Sequence, residues 1–177
     1  MQGFSRAGLF EQAVKHQELG TTRYAEHHRF RRTEERSALL YVGAGQYRQA
    51  LGAYAAWQAR SSSARRDSKV KFAVAYYTYK AKDLDGAIEK LAAIAARSGQ
   101  FRHAARYWKA RAHEKKKEWG AARKDYKTLE EEDPDGWYTL LHRNRLAREE
   151  GAAFAGRWRD GRWPGMPARD LRLRGRT

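Results

Sequence analysis

One dense group of carboxylates stands out, because acid–base cleavage of a glycan would need residues of this type. Glu130, Glu131, Glu132 and Asp133 are consecutive in the chain. Cleavage of a glycosidic bond uses carboxyl groups that flank the bond, whereas neighbouring residues of a helix point in different directions. We therefore interpret the group as the solvated end of a helix, and the sequence assigns no catalytic residue.

Metal binding would need histidines or cysteines at defined spacings. The chain has six histidines and no cysteine. His27 and His28 are adjacent and therefore diverge on a helix, while His103 and His113 lack a third ligand at the spacing of zinc sites. The sequence has no His-Glu-x-x-His motif, no Gly-rich phosphate loop and no Gly-x-Ser-x-Gly elbow. We expect no metal and no cofactor.

Aromatic side chains suit binding better than catalysis, because an exposed ring can stack on a sugar or another ligand. Tyr77 and Trp108 fall on the predicted apolar stripes of their helices, and we expect them in the core. Tyr79 and Tyr107 fall off those stripes. We therefore expect Tyr79 and Tyr107 to line a groove and to take part in binding.

The charge of the chain also indicates binding. It has 37 Lys and Arg against 21 Asp and Glu, a formal net charge of +16, and such an excess attracts polyanions. Basic clusters occur at residues 29–32, at Arg65 and Arg66, and in two later segments. Those segments supply the candidate binding residues Lys115, Lys116, Lys117, Arg143 and Arg145. The other interpretation is that exposed helix faces are simply basic.

These residues belong to a pattern that repeats along the chain. Four times a large apolar residue stands three positions before an alanine, and the alanines are 37, 37 and 35 residues apart. Periods of this length are typical of stacked helical hairpins, in which each hairpin buries its apolar face against its neighbours. The pairs are Phe10 with Ala13, Tyr47 with Ala50, Leu84 with Ala87, and Trp119 with Ala122.

Apolar residues at helical spacing predict where the helices lie. The first helix, from Leu9, should end at Gly20, while Asp83 should cap a later helix and Pro134 should break the chain. Residues 61–67 should form a solvated link. The predicted hairpins are 29–43 with 46–60, 69–82 with 84–97, and 101–116 with 118–131, followed by a single helix over 136–150.

The predicted fold class is all-α, a right-handed superhelix (α-solenoid) of tetratricopeptide-like hairpins over residues 1–150. Residues 151–177 hold five of the 15 glycines and seven arginines without apolar periodicity. We expect this basic, Gly- and Arg-rich tail to be disordered. No run of 18 apolar residues occurs, so the sequence predicts no membrane span.

Two segments resemble known families. Gly45-x-Tyr47-x-x-Ala50-Leu51-x-x-Tyr54 resembles the second helix of a tetratricopeptide repeat. Residues 101–146 contain three further segments, Tyr107-Trp108-x-x-Arg111-Ala112, Gly120-x-Ala122-x-x-x-Tyr126-x-x-Leu129 and Trp137-Tyr138-x-Leu140-Leu141-x-x-x-Arg145-Leu146. Together these segments resemble the end of the superhelical, non-catalytic part of soluble lytic murein transglycosylases.

The resemblance implies a superhelix that supports a lysozyme-like domain in exported, periplasmic proteins that cleave peptidoglycan with one catalytic Glu. The Glu-Ser-x-Phe and Gly-Leu-Met-Gln motifs of that domain are absent here, so no catalytic residue is carried over. Residues 1–18 also lack the apolar segment of a secretory signal. We expect a scaffold portion, a fragment of a longer array.

The predicted function is a non-catalytic scaffold in peptidoglycan turnover at the cell wall. Its partners would be glycan strands or a separate catalytic domain, and its compartment the periplasm by resemblance. The alternative is a cytoplasmic tetratricopeptide-like adaptor for protein–protein interaction. Nucleic-acid binding, suggested by the charge, ranks below both.

Overall fold

The structure is a computed structural model that describes residues 9–23 and 34–149. Within these two ranges the chain is helical and contains no strand, which confirms the all-helical prediction there. The nine helices of the described ranges are α1 Phe10–Arg23, α2 Glu34–Gly43, α3 Tyr47–Arg60, α4 Ser62–Arg66, α5 Ser68–Lys80, α6 Leu84–Ala95, α7 Arg102–Lys115, α8 Trp119–Glu132 and α9 Trp137–Glu149.

Three of the connections between helices have the same backbone geometry. Gly45, Lys82 and Lys117 each have a positive φ, of 73°, 69° and 63°. Each donates its backbone N–H to the carbonyl three residues earlier, and the next residue donates to the carbonyl five residues earlier. This is the Schellman pattern that ends a helix. The three turns are 37 and 35 residues apart, so they follow the alanine repeat.

The repeated alanines lie where the sequence predicts. Ala13, Ala50, Ala87 and Ala122 are all fully buried, with 0 % of their surface exposed. Ala87 belongs to a core cluster that joins α5, α6 and α7, and Ala122 to a cluster of α7 and α8 on which α9 residues pack. A small side chain at each position lets neighbouring helices approach closely.

Helices pack in the order in which they occur in the chain. Among the described residues, substantial contacts join each helix only to helices one or two places away, and the closest pairs are α2 with α3, α5 with α6, α6 with α7, and α7 with α8. None of these helices combines the length and apolar character that a membrane crossing requires.

The sequence also predicts most of the helix ends. Asp83 caps α6, its Oδ1 accepting the N–H of Gly86 at 3.0 Å, and α8 ends before Pro134 as predicted. Two predictions are wrong. Helix α1 continues through Gly20 to Arg23, and the link at 61–67 contains the short helix α4 with Ala64 buried. The predicted start of α2 near residue 29 and the tail 151–177 lie outside the described residues.

Candidate functional site

The two tyrosines predicted to line a groove lie in the core instead. Tyr79 and Tyr107 are each 4 % exposed, and both rings contact the indole of Trp108, with centroids 5.3 and 5.2 Å away. The expected groove position is therefore wrong. Helices α5 and α7 each pack against helices on two sides, so aromatic residues only one or two positions apart can both pack in the core. Tyr77 and Trp108 pack against the core clusters, as predicted.

The three predicted lysines do not face one site. Lys115 lies over the ring of Tyr79, with Nζ 4.3 Å from the centroid. Lys116 forms ion pairs with Asp85 at 2.5 Å and Glu118 at 2.7 Å, and hydrogen bonds to these two carboxylates raise the pKa of Lys116. Lys117 occupies the left-handed position of the third turn. Each lysine thus has a separate structural role.

The two predicted arginines of α9 diverge as well. The Arg143 Nη1 donates to the carbonyl of Pro134 at 2.9 Å on the exposed side of the helix. Arg145 turns inward, where its Nη2 donates to Oε1 of Glu114 at 2.5 Å and to the hydroxyl of Tyr126 at 3.2 Å. Arg145 therefore ties α9 to α7 and α8, and it is not an exposed binding residue.

A buried polar cluster surrounds this contact. Glu114, only 8 % exposed, is also paired with Arg111 at 3.2 Å. Burial raises the pKa of Tyr126 well above its ordinary value. His142 stacks on the Tyr126 ring, and burial together with three nearby arginines lowers the pKa of His142 to about 3. The side chains of this cluster contact one another across α7, α8 and α9 and so hold these three helices together.

The carboxylates at the end of α8 reach different partners, as helix geometry predicts. Glu132 pairs with Arg102 at 2.6 Å and with Arg106 at 3.2 Å, and Asp133 pairs with His103 at 2.9 Å. The predicted solvated helix end is confirmed, since Glu131 and Glu132 are exposed, and its carboxylates are ion-paired as well. Across the described part of the chain, no three histidine or carboxylate side chains come together as a metal site would require.

A cleft that the sequence did not predict lies where α5 and α7 begin and α6 ends. Its volume is about 480 Å³. Four basic residues line it, and among the described residues no carboxylate does. The lining residues are Arg66, Ser68, Lys71, Ala93, Ile94, Arg97, Ser98, Gly99, Gln100, Phe101 and Arg102.

The charges of this cleft come from separate segments of the chain. Only Arg66 belongs to a basic cluster visible in the sequence, while Lys71, Arg97 and Arg102 stand apart from it. In the sequence, the cleft is indicated only by a basic residue beside each of three helix ends. These ends lie next to one another in the structure.

No family model, no curated protein and no solved structure matches the chain.

Proposed function

We propose that the chain is a non-catalytic binding scaffold built from tetratricopeptide-like hairpins that stack into a superhelix. The observation that carries this proposal is the recurrence of one turn geometry at Gly45, Lys82 and Lys117. A solenoid consists of hairpins that share one turn geometry and pack against the hairpins next to them in the sequence. Such arrays serve mainly as surfaces for partners.

Within this proposal the described part of the chain acts without chemistry of its own. Its densest carboxylate group is engaged in ion pairs, with Glu132 held by Arg102 and Arg106. Glu114, one of the two buried carboxylates of the described residues, lies between Arg111 and Arg145. A glycosidase needs a carboxyl free to approach the scissile bond, and these groups face arginines instead.

The preferred partner class is peptidoglycan, because residues 101–146 resemble the superhelical part of soluble lytic transglycosylases. The helices that carry this resemblance, α7, α8 and α9, are joined by the hydrogen bonds from Arg145 to Glu114 and Tyr126. In this interpretation they form a platform that positions glycan strands or a catalytic domain, in the periplasm.

The test combines binding with a lysis assay. Purified peptidoglycan sacculi are sedimented with the full chain, and a zymogram measures release of soluble fragments. We expect retention on sacculi that persists at physiological salt, with no clearing. Clear lysis would disprove the non-catalytic assignment. Absence of retention would disprove the cell-wall role and leave the scaffold without this partner.

A second candidate function is a cytoplasmic adaptor for an acidic partner, favoured by the four basic residues of the cleft. Fractionation of cells that express the native gene decides between the compartments. Recovery of the full-length product in the periplasm would exclude the adaptor, whereas a cytoplasmic product would exclude the cell-wall role.

A further inference from the structure

The cleft lies where α5 and α7 begin and α6 ends, and three of the basic side chains that line it are not used by the fold. Arg66 lies directly before the cap of α5, Lys71 in the first turns of α5, and Arg97 just after α6. Among the described residues, their side chains form no ion pair and no hydrogen bond, and all three are exposed. Each cation is therefore available to a ligand.

A fourth basic residue of the cleft has an unmet hydrogen bond. The Nη2 of Arg102 pairs with Glu132 at 2.6 Å, but its Nε is buried without an acceptor. Buried N–H donors are nearly always paired in folded proteins. This Nε has almost no exposed surface and does not open into the cleft, so Arg102 serves the fold through Glu132.

The backbone adds to the positive potential of the cleft. Helices α5 and α7 both begin at its wall, and the N-terminus of a helix carries partial positive charge and free N–H groups. The C-terminal end of α6 has the opposite sign, but the Ala95 carbonyl there accepts from Nη2 of Arg106 at 3.4 Å. At α5 the Asp67 carboxylate caps the helix by accepting the N–H of Lys69 at 2.7 Å and offsets part of this positive potential, whereas no side chain caps α7.

We propose that this cleft binds a compact, multiply charged phosphate anion, such as the diphosphate group of a small molecule. Guanidinium groups match phosphate oxygens with paired hydrogen bonds. Three cations balance the charge of such a group, and the volume of about 480 Å³ lies in the range of small-molecule pockets. A nucleic acid carries one charge on each phosphate along its backbone, so it would instead require basic residues arranged in a row along that backbone. The proposal does not depend on the cell-wall role, and it gives these basic residues a small-molecule ligand in place of the acidic partner of the second candidate function.

Titration calorimetry of the full chain with inorganic pyrophosphate, at an ionic strength of about 0.15 M that screens charges more than about 8 Å away, tests the proposal. Replacing Arg66, Lys71 or Arg97 by Gln should weaken binding about tenfold each, because each removes a charge-assisted hydrogen bond. Arg65→Gln and Lys69→Gln are matched controls, since both residues are exposed on the same helices but do not line the cleft. We expect the controls to change affinity less than about twofold.

Three outcomes would overturn the proposal. The first is no binding of pyrophosphate to the wild-type chain. The second is equal weakening by the cleft variants and the controls, which would reduce the effect to general electrostatics. The third is preferential binding of a single-stranded oligonucleotide that the cleft variants weaken more than they weaken pyrophosphate. Far-UV circular dichroism with thermal melting confirms that each variant is folded, and the exposure of all five residues makes this the expected result.

Discussion

The imidazole of His142 lies face to face with the phenol ring of Tyr126, with the centroids 3.7 Å apart and the planes inclined by 8°. His142 is 3 % exposed and Tyr126 is 1 % exposed. The hydroxyl of Tyr126 accepts a hydrogen bond from Arg145, which also pairs with Glu114. A neutral histidine thus lies close to the partly buried guanidinium of Arg145, which would repel a second positive charge.

Protonation of His142 should couple the stability of the fold to pH. Burial and the nearby Arg145, Arg143 and Arg111 lower its pKa from 6.5 to about 3, so the unfolded chain takes up a proton that the folded chain refuses. Above pH 6.5 His142 is neutral in both the folded and the unfolded chain and does not reduce stability. As the pH falls from 6.5 toward 3, the free energy of unfolding decreases by about 1.4 kcal/mol per pH unit. Urea unfolding at pH 7.5, 6, 5 and 4 measures this slope.

The control for this prediction is His142→Phe, which keeps a ring on Tyr126 but cannot titrate. Carboxylates contribute to the acid slope of both proteins, so the difference between them reports His142. We expect the variant to lose stability less steeply below pH 6. Parallel profiles for the two proteins would show that His142 is not held neutral.

Removing the charge of Glu114 should destabilise the contact between α7 and α9. Glu114→Gln leaves Arg111 and Arg145 facing each other without a carboxylate between them. Breaking a buried pair in this way should cost about 2–3 kcal/mol of unfolding free energy, with some relief because Arg145 keeps 17 % of its side chain exposed. Chemical denaturation measures the loss.

The matched control is Glu131→Gln on α8. The Glu131 side chain is 61 % exposed and pairs with Lys127 at 3.6 Å, and exposed pairs of this kind contribute less than about 0.5 kcal/mol. Similar losses in the two variants would mean that the Glu114 cluster is no more important than a surface pair.

Enlarging a repeated alanine should overpack the interface between helices. Ala122 is fully buried among α7, α8 and α9, whereas Ala121 beside it is exposed. We expect Ala122→Leu to cost about 1–3 kcal/mol, and the same change at Ala87 to behave alike. Ala121→Leu should be nearly neutral, because Leu and Ala have similar helix propensities. Equal melting temperatures for Ala121→Leu and Ala122→Leu would contradict the packing.

Glycine should stabilise the two turns that lack it. Lys82 and Lys117 adopt the left-handed conformation that Gly45 adopts at the first turn, and a side chain is strained in that conformation. Lys82→Gly and Lys117→Gly should each raise the unfolding free energy by about 0.5–1 kcal/mol. Lys90→Gly, inside α6, should lower it by about 1 kcal/mol. A loss of stability at both turn positions would argue against strain there.

Local features of the fold could be predicted from the sequence. The burial of Ala50, Ala87 and Ala122 follows from a repeat with helical spacing, and the cap at Asp83 from side-chain chemistry within three residues. Both depend on neighbours in the chain, so they do not require knowledge of the tertiary arrangement. The end of α1 was missed because Gly20 lies inside the helix, where a glycine is tolerated at modest cost.

Burial on more than one side of a helix could not be predicted. Tyr79 and Tyr107 fall off a single apolar stripe, yet α5 and α7 pack between two neighbours and bury both tyrosines. The Glu114–Arg145 pair joins residues 31 positions apart. The cleft likewise draws Arg66, Lys71 and Arg97 from separate segments. Such contacts depend on how hairpins stack, and no local motif encodes them.

The three matching turns also bear on how the length of the chain can change. Removing the 37 residues 46–82 would join Gly45 to Asp83, and this junction retains a left-handed glycine followed by a residue that caps a helix. Recombination at these bends would therefore insert or excise a whole segment, either α3 to α5 or α6 with α7, and the joint would keep the backbone geometry it requires. Gene duplication and loss could in this way lengthen or shorten the protein in unequal steps of 35 or 37 residues.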